Sequence, residues 1–189
     1  MPRQVFQFDP PERFVAGTVG EPGQRTFFLQ ARDDARLASV VVEKEQVALL
    51  AERLDLLLDE VVRRSAGTAS VPALPPEELD DRDPLEQPIV EEFRVGTLTL
   101  AWDGADDRVV IEAFAAAEGD DADEEAPPTD STDERDVLVV RITGASARAF
   151  VRRAQVLVAA GRPPCPLCAL PLDPEGHVCP RQNGYRRRD

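Results

Sequence analysis

The residues best suited to chemistry lie together near the end of the chain, in CPLCALPLDPEGHVC, residues 165–179. All three cysteines and the single histidine of the 189-residue protein fall within this stretch. Cys165 and Cys168 are spaced so that one tight turn directs both thiolates at a single ion. Pro166 stiffens that turn, and the backbone N–H groups that follow can bond the sulfurs. Further on, His177 and Cys179 form an H-x-C pair, whose side chains point to the same side of an extended segment. Gly176 lets the chain bend into this pair, while Pro171 and Pro174 restrict the loop before it. Soft sulfur with borderline nitrogen favours Zn²⁺ over Mg²⁺ or Ca²⁺. Four protein ligands leave no open position, so the expectation is one structural zinc in a small Cys3His knuckle.

Two other readings of the cysteines compete with zinc. CPLC could be a thiol–disulfide redox pair, but it does not stand at a strand-to-helix junction, and His177 and Cys179 would then be idle. The thiols could also be inert. A zinc site consumes every cysteine and the only histidine, so an enzyme would have to work with Asp, Glu, Ser, Arg or Tyr185. No phosphate loop, nucleophile elbow or dinucleotide fingerprint occurs. Asp9 and Glu12 are neighbouring carboxylates, yet DPP before a strand reads more simply as a turn. The sequence favours a binding protein over an enzyme and names no catalytic residue.

Beyond the cysteines, Arg181, Arg186, Arg187 and Arg188 cluster around Tyr185. They are candidate anion contacts, with tyrosine stacking on a base. The plainer reading is a solubilising tail. The formal net charge of −14 is unevenly spread: residues 77–92 and 118–136 hold most of the excess acid, and without them the remainder sits near +2. The acidity therefore belongs to connecting segments, and the C-terminal end is locally basic.

These segments mark the joints of the architecture that must position the cysteines. Residues 67–91 and 118–135 are rich in acids, Pro, Ser and Thr. The second cannot bury enough apolar surface to offset its ordering entropy and reads as a disordered loop. Before the first joint, VFQF, RFVAGTVG, RTFFLQAR and RLASVVVE read as four strands. A helix follows from about Glu45 to Ser65, with Val47, Leu50, Leu54, Leu57, Leu58 and Val61 at helical spacing and Gly67 beyond its end. After the joint, EFRVGTLTLAW, RVVIEAFAAA and DVLVVRIT read as three strands. A second helix runs from an N-cap at about Ser146 to Ala160, with Phe150, Val151, Ala154, Leu157 and Val158 apolar. The expectation is an α+β domain over residues 1–161, made of two antiparallel units of four strands plus a helix and three strands plus a helix, followed by a zinc module over residues 162–189. The two units match in pattern only, and their likeness to the Whirly and Pur-type single-strand nucleic-acid binders is one of topology.

Composition bounds the setting. Only Lys44 among the 22 basic residues is lysine, a bias that fits a GC-rich bacterial genome. No apolar run approaches the roughly 18–20 residues of a membrane span, and the N-terminus lacks a secretory pattern. A cytoplasmic protein is expected. The opening MPRQVFQFDPPERFVAGTVGEPGQRTFFLQA and the ending CPLCALPLDPEGHVCPRQNGYRR resemble an uncharacterised actinobacterial domain-of-unknown-function family. That resemblance implies neighbours in the genome, a histidine phosphatase-like protein and a phosphoinositide-kinase-like protein, and hence protein partners. Three functions stay open: a zinc-stabilised binding or adaptor protein, a nucleic-acid binder using the Arg-rich end, and an enzyme acting on a phosphorylated metabolite.

Overall fold

Alternating β-branched and polar residues build seven strands in the computed structural model, which describes residues 3–34, 36–117, 134–161, 165–168 and 179. They are β1 (Val5–Phe8), β2 (Arg13–Val19), β3 (Thr26–Asp33), β4 (Arg36–Val42), β5 (Glu91–Asp103), β6 (Arg108–Ala115) and β7 (Val137–Thr143), with helices α1 (Lys44–Arg64) and α2 (Gly144–Ala159) after β4 and β7. The class is α+β, as the sequence implies. The division into two antiparallel units is not what forms. A single mixed sheet runs β1-β7-β6-β5-β4-β3-β2.

Two parallel junctions make the difference. β4 pairs with β5 in parallel, Ser39 beside Glu91 and Val41 beside Arg94, with a register shift between. A helix between two strands carries the chain back, so the next strand starts from the same end and pairs in parallel. The sequence from α1 to β5 is thus a crossover within one sheet. At the other edge β1 leaves its neighbour in sequence and pairs in parallel with β7, Val5 opposite Val137.

That second junction bends the sheet. β1 and β2 occupy opposite edges. A flat sheet of seven strands would hold its edges roughly 29 Å apart, whereas residues 9–12 can bridge only about 18 Å. The sheet must therefore curl until its edges approach. Consistent with this, the Arg36 guanidinium beside β3 and β4 lies over the Phe8 ring of β1, 5.2 Å from its centroid.

The concave face carries the main core, where Phe8, Leu29, Val40, Ile111 and Val140 meet Leu54, Leu58, Phe150 and Ala154 of the helices. Phe14 of β2 stacks on Phe150 of α2 with centroids 4.8 Å apart. α1 buries Val47, Leu50, Leu54, Leu58 and Val61 as its spacing predicts, with Ala51 added and Leu57 only half-buried. The chain leaves α1 through Gly67 at φ 81°, a left-handed turn that suits glycine. α2 starts earlier than expected. Its N-cap is Thr143, whose hydroxyl accepts from the Ser146 N–H at 3.0 Å, so Ser146 lies inside the first turn.

The stretch 67–91, taken from composition as a joint, packs closely on the domain. Arg148 of α2, a buried charge, reaches across to Asp55 and Asp59 of α1 and to the carbonyl of Pro72, 3.2 Å away. Farther along, Leu85 enters a second apolar cluster on the convex face with Val15, Phe28 and Val41. Gly17 makes room for it: a Cβ there would stand 2.5 Å from the Leu85 side chain. The buried Gln30 donates to Ser39 Oγ at 3.0 Å and to the Glu86 carbonyl at 3.1 Å, and accepts from the Glu86 N–H at 2.8 Å. Composition hid this strap because its partners belong to β2, β3, β4 and α2.

Candidate metal centre

The CPLC turn forms as its spacing predicts. The Leu167 N–H points back at the Cys165 sulfur, 3.4 Å away. This donor and, more strongly, the Cys168 N–H pull the Cys165 thiol below its usual range, because a hydrogen bond to sulfur favours the thiolate. Cys179 arrives from the far end of the motif. The three sulfurs all lie within 4.8 Å of one another, with Cys165 and Cys179 buried, Cys168 partly buried, and none in a disulfide.

One distance tests whether the cluster fits a tetrahedral ion. Ligand sulfurs at about 2.3 Å from zinc are spaced by about 3.8 Å along a tetrahedron's edge. The Cys165 and Cys179 sulfurs are 3.9 Å apart. A disulfide would need about 2.05 Å. The donor set could thus hold a metal ion.

The other residues singled out from sequence separate into two groups. His177, the expected fourth ligand, lies outside the described residues, as do Tyr185 and the candidate anion contacts Arg181, Arg186, Arg187 and Arg188. The stretch 118–135, read as a disordered loop, is described only at residues 134 and 135, where the Arg135 guanidinium lies over the Phe114 ring. Asp9 and Glu12 are described and are engaged in ion pairs. Asp9 contacts Arg141 at 3.0 Å and Glu12 pairs with Arg32. Both carboxylates thus serve as partners of sheet arginines.

Sequence reasoning missed a polar cluster where α2, β2 and the strap meet. Asp81 receives the Arg13 Nε at 2.6 Å and an Arg153 nitrogen at 2.8 Å. Arg153 also donates to the Ala16 carbonyl at 2.8 Å, covering an acceptor on the exposed edge of β2. The Asp81 carboxyl is held below its ordinary range, chiefly by the Arg13 hydrogen bond. Arg13 is raised by the same bond, while Arg153 is lowered because its burial outweighs the attraction of Asp81. These groups border a cleft of about 310 Å³ that also includes Ser146. The Ser146 hydroxyl is engaged with Thr143 at 2.9 Å and the two arginines with Asp81, while Arg13 Nη1 is buried there with no hydrogen-bond partner. No local pattern announces the cluster: its members are separated by about seventy residues along the chain.

No helix among the described residues is long and apolar enough to cross a membrane. Comparison with curated proteins yields no match, and comparison with solved structures yields none. A family model described as protein of unknown function (DUF3090) matches residues 6–179, a span that begins in β1 and ends on the last cysteine of the cluster, and the chain belongs to that family.

Proposed function

We propose that the protein is a zinc-stabilised binding or adaptor protein, with one structural Zn²⁺ held by Cys165, Cys168, His177 and Cys179. The observation that carries the metal is the approach of three sulfurs to within 4.8 Å, two of them at the spacing of a tetrahedron's edge. His177 is the natural fourth donor, being two residues before Cys179 and the only imidazole in the chain. Zinc suits a thiolate-rich set better than the oxygen-seeking cations.

A binding role follows from how the described charges are used. Arg13, Arg32, Arg36, Arg94, Arg141, Arg148 and Arg153 are each engaged with carboxylates of the same fold. These seven serve pairs within the fold, and the rival nucleic-acid reading rests on the Arg-rich end. Protein partners, a histidine phosphatase-like and a phosphoinositide-kinase-like protein among them, are the occupants this reading favours, and the cytoplasm is the compartment.

Elemental analysis of freshly purified, unchelated protein tests the metal, with about one zinc per chain expected. Cys168→Ser should release it. Protein that holds no zinc under these conditions would sink the reading. Mobility shift on single-stranded nucleic acid across salt concentrations tests the rival: tight binding abolished by changing Arg181, Arg186, Arg187 and Arg188 to Ala would put that function first.

A further inference from the structure

We propose that the three-thiol cluster is a peroxide-sensitive switch, in which Cys168 is oxidised first and then captured by a buried neighbouring thiol, so that the ion is released. The inference rests on the metal reading above and adds the chemistry that undoes it. Its basis is an asymmetry of access. Cys165 and Cys179 are buried, 6% and 4% exposed, whereas Cys168 is partly exposed, so an oxidant arriving from solvent meets Cys168 first. Both other sulfurs stand within 4.8 Å of it. A disulfide needs about 2.05 Å, so the remaining approach is of the size that side-chain rotation within a turn supplies.

The reaction balances with a hydroperoxide as oxidant. The Cys168 thiolate attacks the O–O bond and takes one oxygen to become a sulfenic acid, while the other oxygen leaves as hydroxide or alkoxide and is protonated. A second thiolate attacks the oxidised sulfur. The S–S bond forms, and hydroxide departs and takes a proton to become water. Two thiolates have then given two electrons to one peroxide. The disulfide sulfurs are no longer anionic donors, so the ion keeps only one thiolate of the three and dissociates. A small thiol reverses the change by exchange, restoring both thiolates. The whole thiol content of the protein lies in this cluster, so no other cysteine in the chain competes for the sulfenic acid. Of the sequence-level objections to CPLC as a redox pair, the one that Cys179 would be idle does not apply here. In the fold Cys179 belongs to the same cluster, its sulfur 3.9 Å from that of Cys165.

The test uses the purified full chain, assayed first for metal and then treated with a few equivalents of hydrogen peroxide. A colorimetric chelator reads the released ion, and mass spectrometry after differential alkylation maps the thiols. The expected result is loss of one metal per chain in step with two thiols, a disulfide that contains Cys168, and full recovery with dithiothreitol and added zinc. Three results would overturn it: thiols and metal unchanged in excess peroxide, metal lost with sulfinic or sulfonic acid and no disulfide, or a disulfide that lacks Cys168. Protein purified without metal would remove the metal reading by itself. The disulfide map on those thiols then decides the switch chemistry separately, upheld by a reversible Cys168 disulfide and overturned by its absence.

Discussion

The cysteine turn and the acidic strap both bring distant parts of the chain together, one through three neighbouring sulfurs and the other through arginines and a leucine. Cys165 and Cys168 are near neighbours in sequence, and Cys179 follows within the same motif. The strap's partners are remote: Leu85 sits on Val15 and Phe28, Asp81 on Arg13 and Arg153. A motif with local spacing can be read before the fold is known. A packed segment whose anchoring contacts are long-range looks, by composition, like a linker.

The first way to sharpen the contrast is to remove the strap's apolar anchor. Leu85→Ala should cost about 2–4 kcal/mol, the usual range for emptying a buried leucine site, read as a lower urea midpoint. Gly17→Val should act from the opposite side, because a Cβ would stand 2.5 Å from Leu85 and the strap would have to lift. A change of only a few tenths for both would show that the strap lies on the sheet without holding it.

The polar anchor should matter next. Asp81→Ala leaves two half-buried guanidiniums without their shared carboxylate, at a cost of about 1–2 kcal/mol once partial exposure is allowed for. The same residue sets a pH dependence. The Asp81 carboxyl is held below its ordinary range by Arg13. Its contribution is therefore fully present above the unfolded value near 3.9 and is lost as pH falls through the lower native value. Wild type should lose stability below about pH 4 more steeply than Asp81→Asn. Parallel acid profiles would place the acid-sensitive group elsewhere.

Metal removal should do less to the domain. The main core, from Phe8 to Ala154, is built from the sheet and its two helices, upstream of the first cysteine. Chelation or Cys168→Ser should abolish zinc binding yet move the main urea transition by less than about 1 kcal/mol, the scale of changes away from packed features. A collapse of the whole transition would mean the cysteine module is fastened into the core as firmly as the strap.

All seven strands and both helices were legible in the sequence, because each element is a local pattern: the alternation in RVVIEAF, or the helical spacing from Val47 to Val61. How they assemble was not. Nothing local to Val5–Phe8 says that it pairs with Val137–Val140 rather than with β2. The crossover through α1, which makes β4 and β5 parallel, looks the same in sequence as a boundary between two units. The N-cap of α2 went to Thr143 because two hydroxyls stood three residues apart and either could cap. At the site, Cys165, Cys168 and Cys179 were legible from spacing alone. Arg13, Asp81 and Arg153 carried no signal, since a charged residue in a strand, a loop or a helix is ordinarily solvated.

The smallest effect is expected from the other acidic stretch, and it asks whether all acidic segments of this chain are straps. β6 and β7 are antiparallel neighbours, and the Ala115 N–H donates to the Asp136 carbonyl at 2.8 Å, so the ends of the connection are already held together. Replacing residues 118–133 with a Gly/Ser linker about one third as long keeps Arg135 on Phe114 and demands no new geometry. Loop-closure entropy varies with the logarithm of length, so the shorter connection should raise stability by about 1 kcal/mol at most. A strap of the kind at Leu85 would behave in the opposite way, because deleting it would remove buried contacts. Unchanged or slightly raised stability on replacement marks 118–133 as a simple connection. A cooperative loss of several kcal/mol would make it a second strap, and composition would then have misjudged both acidic stretches for the same reason.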